Sequence, residues 1–458
     1  NLTDCTGATP PTSCPAGAPG FLGVQFLNQV QETQNFETIN LAASVEGEVT
    51  DNLKLYADYI YTDQTRRLAG SRVQFSNVSR LNGSGDRTNG GNINFTDFAT
   101  FNLGRDAIGQ DLGSILAVTA GTFTPHQRSD FATDEDFRNA RGAPFLRVSS
   151  DNGSRLTTSD VFIAGGEWES DRLSIAAEFS RVSADTVNPN LSSTLNSINP
   201  NSDIAPNNSA GTSFRDENGI PIIFDLRDGI SFGINFADPF APTTAQLLDG
   251  NNYVLDGTPT YSANIQENEE SAFRFDASYD LSDSAIPFIS SVDAGYRYSN
   301  RTTLRDNRQA SRSGSSSLAG SLNAGGISGL LAEIPDNFGQ GTGSDLFVSG
   351  VLHLDPNNGA NPEDTVAAIN AAAAAQGLGP IFTSGLESIP GDFFDIEEET
   401  HSLYGQLNFE TGNGRFRGNA GVRWVDTSIS STANVLGNGD PILTTVGSSY
   451  SHLLPRVN

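Results

Sequence analysis

The chain has 458 residues, only 36% of them hydrophobic, and a formal net charge of −28 at pH 7. Lys54 is its only lysine, so the cationic surface that a phosphate backbone demands is missing, which excludes nucleic acid as a partner and disfavours a polyanion-selective pore. No apolar run approaches the roughly 20 residues that a membrane-spanning helix needs. Length alone suggests about three soluble domains, yet no linker or change of pattern interrupts the sequence, and one continuous architecture over 1–458 is expected.

In chain order, Cys5 and Cys14 come first, in the Pro/Gly-rich segment CTGATPPTSC. That spacing suits a small disulfide loop from an oxidising compartment better than a zinc site, with two free thiols as the alternative. Residues 38–49 then place Ile39, Leu41, Ala43, Val45 and Val49 on one face, and after a Thr-Asp-Asn turn Leu53, Leu55, Ala57, Tyr59 and Tyr61 repeat the pattern. Lys54, Tyr56 and Asp58 occupy the other face. A second hairpin surrounds Asp171 (Phe162, Ala164, Trp168, then Leu173, Ile175, Ala177, Phe179), and a third surrounds Asp283 (Phe273, Phe275, Ala277, Tyr279, then Val292, Ala294, Tyr296, Tyr298). The fourth, FFDIEEETHSLYGQLNFETGNGRFRGNAGVRWV over 393–425, turns at Gly412, and the start of a ninth strand follows at 450–458.

Side chains alternate across a strand, so such segments need an apolar medium on one side and water on the other. A soluble sandwich provides this, and so does an all-β, antiparallel transmembrane barrel with a hydrated lumen. The strands have the roughly 9–11 residues that cross a bilayer, and long connections alternate with short ones. In the barrel reading Leu55, Tyr59, Ile175, Phe275, Tyr296, Val422 and Trp424 point outward, while Asp58, Glu178, Arg274, Asp276, Arg297 and Arg423 face the lumen. The turns at Asp51, Asp171, Asp283 and Gly412 share one rim. Tyr59, Tyr61, Tyr296, Tyr298 and Trp424 form a girdle towards the long-loop rim, and Trp168, Tyr279 and Phe409 one towards the short-turn rim.

The connections 62–159, 184–269 and 302–396 are too long to be passive. In the second, FRDENGIPIIFDL reads as a small hairpin on its Asn-Gly turn. In the third, Asn361 and Pro362 start an Ala-rich helix that stops at Gly377, and Asp355 to Gly359 read as a capped turn rather than a calcium loop. His126, His353, His401 and His452 are scattered without metal-ligand spacing and read as solvated or interface residues. No nucleophile elbow, phosphate loop or dinucleotide fingerprint occurs, so neither catalysis nor a cofactor is expected.

The runs IEEETHSLYGQLNF at 396–409, GNAGVRWVDT at 418–427, Ser449-Tyr450 and LPRVN at 454–458 resemble the barrel of the large, long-looped TonB-dependent outer-membrane receptors. DAGYRYSNR at 293–301 and NLKLYADY at 52–59 resemble further strands of that family. The resemblance implies a barrel of the bacterial outer membrane, set in lipid, about 22-stranded and plugged by an N-terminal domain that couples to the TonB complex. It also implies uptake of a scarce or large solute, an oligosaccharide or siderophore-like molecule. A passive porin, and less so a surface adhesin, are the alternatives. Within the 458 residues no plug or TonB box is legible, the chain contains no Met, and eight clear strands plus a ninth fall short of a full barrel. The chain is therefore expected to be an internal fragment.

Overall fold

The computed structural model describes residues 2–4, 16–17, 20–76, 78, 91–125, 127–133, 145–202, 219–255, 259–282, 288–312, 322–335, 338, 350–410, 415–437 and 439–458. Cys5, Cys14, His126, Asp283 and Gly412 lie outside them.

Nine long strands dominate: β1 (Phe26–Thr50), β2 (Leu53–Ser76), β3 (Phe145–Glu169), β4 (Leu173–Ser197), β5 (Thr260–Asp280), β6 (Ile289–Arg312), β7 (Phe394–Glu410), β8 (Arg417–Val435) and β9 (Ile442–Val457). Each pairs antiparallel with its neighbours in sequence, from β1 to β9. The described register is continuous except at Glu48/Thr50 and Ile289/Ser291, close to the turns. Thr50, Glu169, Asp280 and Glu410 therefore end four strands at one rim, where Asp51-Asn52 and Ser170–172 make tight turns. The Ser170 hydroxyl accepts from Leu173 N at 3.2 Å. Among the described residues neither β1 nor β9 is paired on its outer edge in this sheet. Because β1 and β9 run in the same direction, antiparallel closure takes an odd number of further strands.

The strands are longer than the apolar pattern indicates. β3 and β4 have 25 residues each, against the roughly 9–11 that cross a bilayer. Strand β2 runs on to Ser76, and β9 begins at Ile442 instead of Tyr450. The long connections thus shrink to 77–144, 198–259 and 313–393. Pairing outlasts amphipathicity because the ladder needs only backbone groups, and polar side chains bridge the added rungs: Thr157 to Thr186 at 3.1 Å and Ser149 to Thr194 at 2.9 Å.

Over these added rungs the connections fold into two apolar clusters that cover β1–β6. In one, Val73 and Phe75 of β2 and Leu146 and Val148 of β3 pack with Phe123, Ile222, Phe224 and Phe232. In the other, Leu191 and Leu195 of β4, Tyr261 of β5 and Ala310 of β6 pack with Tyr253, Leu322, Leu354, Ile369, Ala373 and Phe382. By alternation along an unshifted register, these strand residues share the face of Leu55, Ile175, Phe275 and Tyr296. One face of the sheet is therefore exposed and apolar near the short turns, as at Val45 (66% exposed) and Leu403 (54%), and covered by the connections further up.

Helix α1 spans Pro362–Ala375 with Pro362 in its first turn and Gly377 at φ 73°, as its sequence predicts, although Asn361 caps with its backbone carbonyl and not its side chain. The Asp355 carboxylate accepts from Asn357 N at 2.9 Å, a capped turn. The FRDENGIPIIFDL segment departs from expectation. Ile222–Asp225 pairs on one edge with Ser231–Ile234 and on the other with 120–123, and the first arm of the expected hairpin, 214–218, lies outside the described residues. The apolar IIF triplet is bought by the larger core.

His353 is also a correction: it is not solvated but buried at 2% exposure between the connection and β2, its Nδ1 2.8 Å from the Ser71 hydroxyl. Burial holds its pKa down at about 4, against a smaller opposing pull from Asp355. The folded pKa lies below the unfolded one, so the neutral ring's contribution is full above about pH 6.5 and is lost as pH falls through about 4, a span of ~3 kcal/mol. Acid should loosen 350–355 from β2, measured as faster amide exchange there, and His353→Gln should flatten that pH dependence; an unchanged acid profile in the variant would refute the assignment.

Candidate functional site on the polar face

Opposite the apolar face, side chains from seven strands, β3 to β9, line a cavity of about 800 Å³, among them Glu167, Asp276, Asp293, Arg297, Tyr404 and Arg423. Register explains why they meet. Glu178, Arg274, Arg297 and Ser402 form one cross-strand row, and Ala176, Asp276, Gly295, Tyr404 and Arg423 form the next. Side chains two residues apart on a strand share a face, so the two rows make one surface.

The surface is held by a chain of polar contacts. The Tyr56 hydroxyl donates to Glu178 Oε2 at 2.7 Å. Arg274, opposite Glu178, donates through Nε to Asp276 Oδ2 at 2.7 Å. The Tyr404 hydroxyl donates to Asp276 Oδ1 at 2.7 Å, and the Arg423 guanidinium lies 5.5 Å from the centre of the Tyr404 ring. Asp293 accepts from Ser278 Oγ at 2.7 Å and from Asn408 Nδ2 at 2.6 Å. Glycine makes two of the longer reaches passable: Tyr56 lies over Gly165 to meet Glu178, and Tyr404 lies over Gly295 to meet Asp276.

Five of the six residues singled out from sequence, Glu178, Arg274, Asp276, Arg297 and Arg423, thus fall in one patch. Asp58 shares their face, opposite Ser44 and Ile163, but takes no part in these contacts. Sequence reading overlooked Tyr56, Tyr404 and the two glycines as site residues. A tyrosine on the polar parity, with a glycine opposite it on the next strand, is the signal that could have found them.

A Cβ at Gly295 would overlap the Tyr404 ring and sit 2.8 Å from Phe275 O, whereas one at Gly405 meets nothing within 4 Å. Gly295→Val is therefore expected to cost ~1–3 kcal/mol by overpacking, and Gly405→Ala close to nothing. Denaturant unfolding of the two variants checks this, and equal midpoints would contradict it.

Chemically, the surface is a wall of hydrogen-bond donors, acceptors and charges. Among the described residues no group of three His, Cys, Asp or Glu side chains is placed to hold a metal ion, and no helix is long and apolar enough to cross a membrane.

A two-faced antiparallel meander of long strands, with short turns at one rim and large folded connections at the other, defines the class as an outer-membrane β-barrel. Residues 206–458 match the family described as TonB dependent receptor-like, beta-barrel, and the chain belongs to that family of bacterial outer-membrane receptor barrels. No curated protein matches the sequence. Among solved structures, the siderophore receptor PiuA from Acinetobacter baumannii is similar over 95% of this chain and 47% of that one, at 9% identity and a TM-score of 0.32. The chain spans about half the length of that receptor.

Proposed function

We propose that the chain, over its whole length 1–458, is part of the barrel of a receptor that imports a scarce or large solute, an oligosaccharide or a siderophore-like molecule, with energy from the TonB system. In this reading the apolar face meets lipid, the polar face is the lumen and lines the solute's route, and the connections over 77–144, 198–259 and 313–393 capture the solute. Cys5 and Cys14 would close a disulfide loop near the long-loop rim. The observation that carries the reading is the pairing of a charged, hydrogen-bonded wall around an 800 Å³ cavity with connections folded into cores of their own. Diffusion pores need one constricting loop, and a cored layer of three connections is more than that task requires.

The test uses cells producing the full-length receptor. Uptake of the cognate solute should saturate and stop when the proton-motive force is collapsed. Replacing 314–392 by a short turn should abolish high-affinity binding while the barrel still assembles, because the deletion begins and ends at strand termini. Non-saturating, energy-independent flux would sink the transport reading in favour of a porin, and unchanged binding after the deletion would remove the capturing role of that connection.

A further inference from the structure

The polar wall carries its charges unevenly. Asp276 is occupied by Tyr404 and Arg274, and Asp293 by Ser278 and Asn408. Arg297 of β6 and Arg423 of β8 are not: neither makes an ion pair or hydrogen bond among the described residues, and the Arg423 guanidinium lies over the Tyr404 ring. The two strands flank β7, with Arg423 opposite Tyr404 and Arg297 opposite Ser402, one same-face position along, so the arginines stand about 12 Å apart at the backbone, by two interstrand spacings across and two residues along. Arg456 of β9 opens on the same cavity, whereas Glu167 and Glu169 enter it from β3, three strands away from β6.

We propose that Arg297 and Arg423, with Tyr404 between them, form a subsite for a small anionic group, a carboxylate or phosphate, carried by the solute. The proposal rests on the polar face being the solute's route. A guanidinium presents a planar fork of donors that matches a carboxylate or phosphate bidentately, and two such forks across one strand can close on a single group from both sides. The Tyr404 ring, fixed by Asp276 and Gly295, keeps Arg423 extended over the cavity instead of folding back onto an acid. The overall charge of −28 opposes a polyanion at long range, which leaves a solute with one localised anionic group as the fitting class.

The test is arginine-specific labelling with phenylglyoxal on the full-length wild-type receptor in detergent, read by peptide mass spectrometry. Arg297 and Arg423 should label in buffer, and inorganic phosphate or acetate should slow both at least several-fold, the two ligands separating phosphate from carboxylate preference. A neutral disaccharide should give no protection, and Arg227, tied to Asp225 in a connection, should be indifferent to all three. Equal labelling with and without both anions overturns the subsite. So does failure of either arginine to label in buffer, because an acidic segment of the longer protein would then already occupy it. Protection without energy-dependent uptake would retain the subsite and sink the transport reading, and energy-dependent uptake without protection would do the opposite.

Discussion

Replacing Tyr253 by alanine is expected to unravel the second cluster of the connections while the nine-strand sheet stays paired. Tyr253 is fully buried, at 0% exposure. It also ties three segments together: its hydroxyl donates to Leu247 O at 2.6 Å, its backbone strand pairs with β4 at Ser197, and Leu352 N approaches its hydroxyl at 3.4 Å. Truncation removes a large aromatic from a closed core and leaves buried backbone groups without a partner, a loss of ~3–5 kcal/mol. The sheet has its own ladder and does not depend on that core. Limited proteolysis of the full-length receptor should therefore cut within 244–255 and 350–376 in Tyr253→Ala and spare the strands. Protection equal to wild type would show that the connections are held by something other than this core.

The second large effect belongs to the apolar face. Leu403 lies in one outward row with Phe275, Tyr296 and Trp424. It is 54% exposed in the absence of lipid. In a bilayer, Leu403→Arg near mid-depth should cost ~2–4 kcal/mol. Gln406→Arg lies on the opposite parity, next to Asp293 and Asn408, and should change stability by well under that. Reversible unfolding of the full-length receptor from lipid vesicles compares the two. Equal costs would mean that the two faces do not see different solvents, which a soluble sandwich predicts and a membrane barrel forbids.

Near the short turns, much of the fold was legible. Leu55, Tyr59, Phe275, Val422 and Trp424 announce an apolar face because period-two alternation survives wherever lipid lies on one side and water on the other. The same logic put Glu178, Arg274, Asp276, Arg297 and Arg423 on one wall. It failed above about Thr62, Ala184 and Thr302, where the strands continue through Ser, Thr and Asn. There the ladder is kept by backbone pairing, and side chains no longer report it. His353 and Ile222–Asp225 were misread for a related reason: each is buried by segments far away in sequence, and neither carries a local pattern that says so.

By itself, then, the sequence determined the sheet: its antiparallel order, its two faces and the rim that bears the tight turns, all set by alternation and turn residues within a few positions of one another. The tertiary structure alone decided which polar residues meet. Tyr56 reaches Glu178 and Tyr404 reaches Asp276 only because register places Gly165 and Gly295 between them, and register is a relation between strands that no single strand encodes. It alone decided, too, that the connections cover the upper part of the apolar face, since burial there comes from clusters whose members lie as far apart as Leu191 and Phe382.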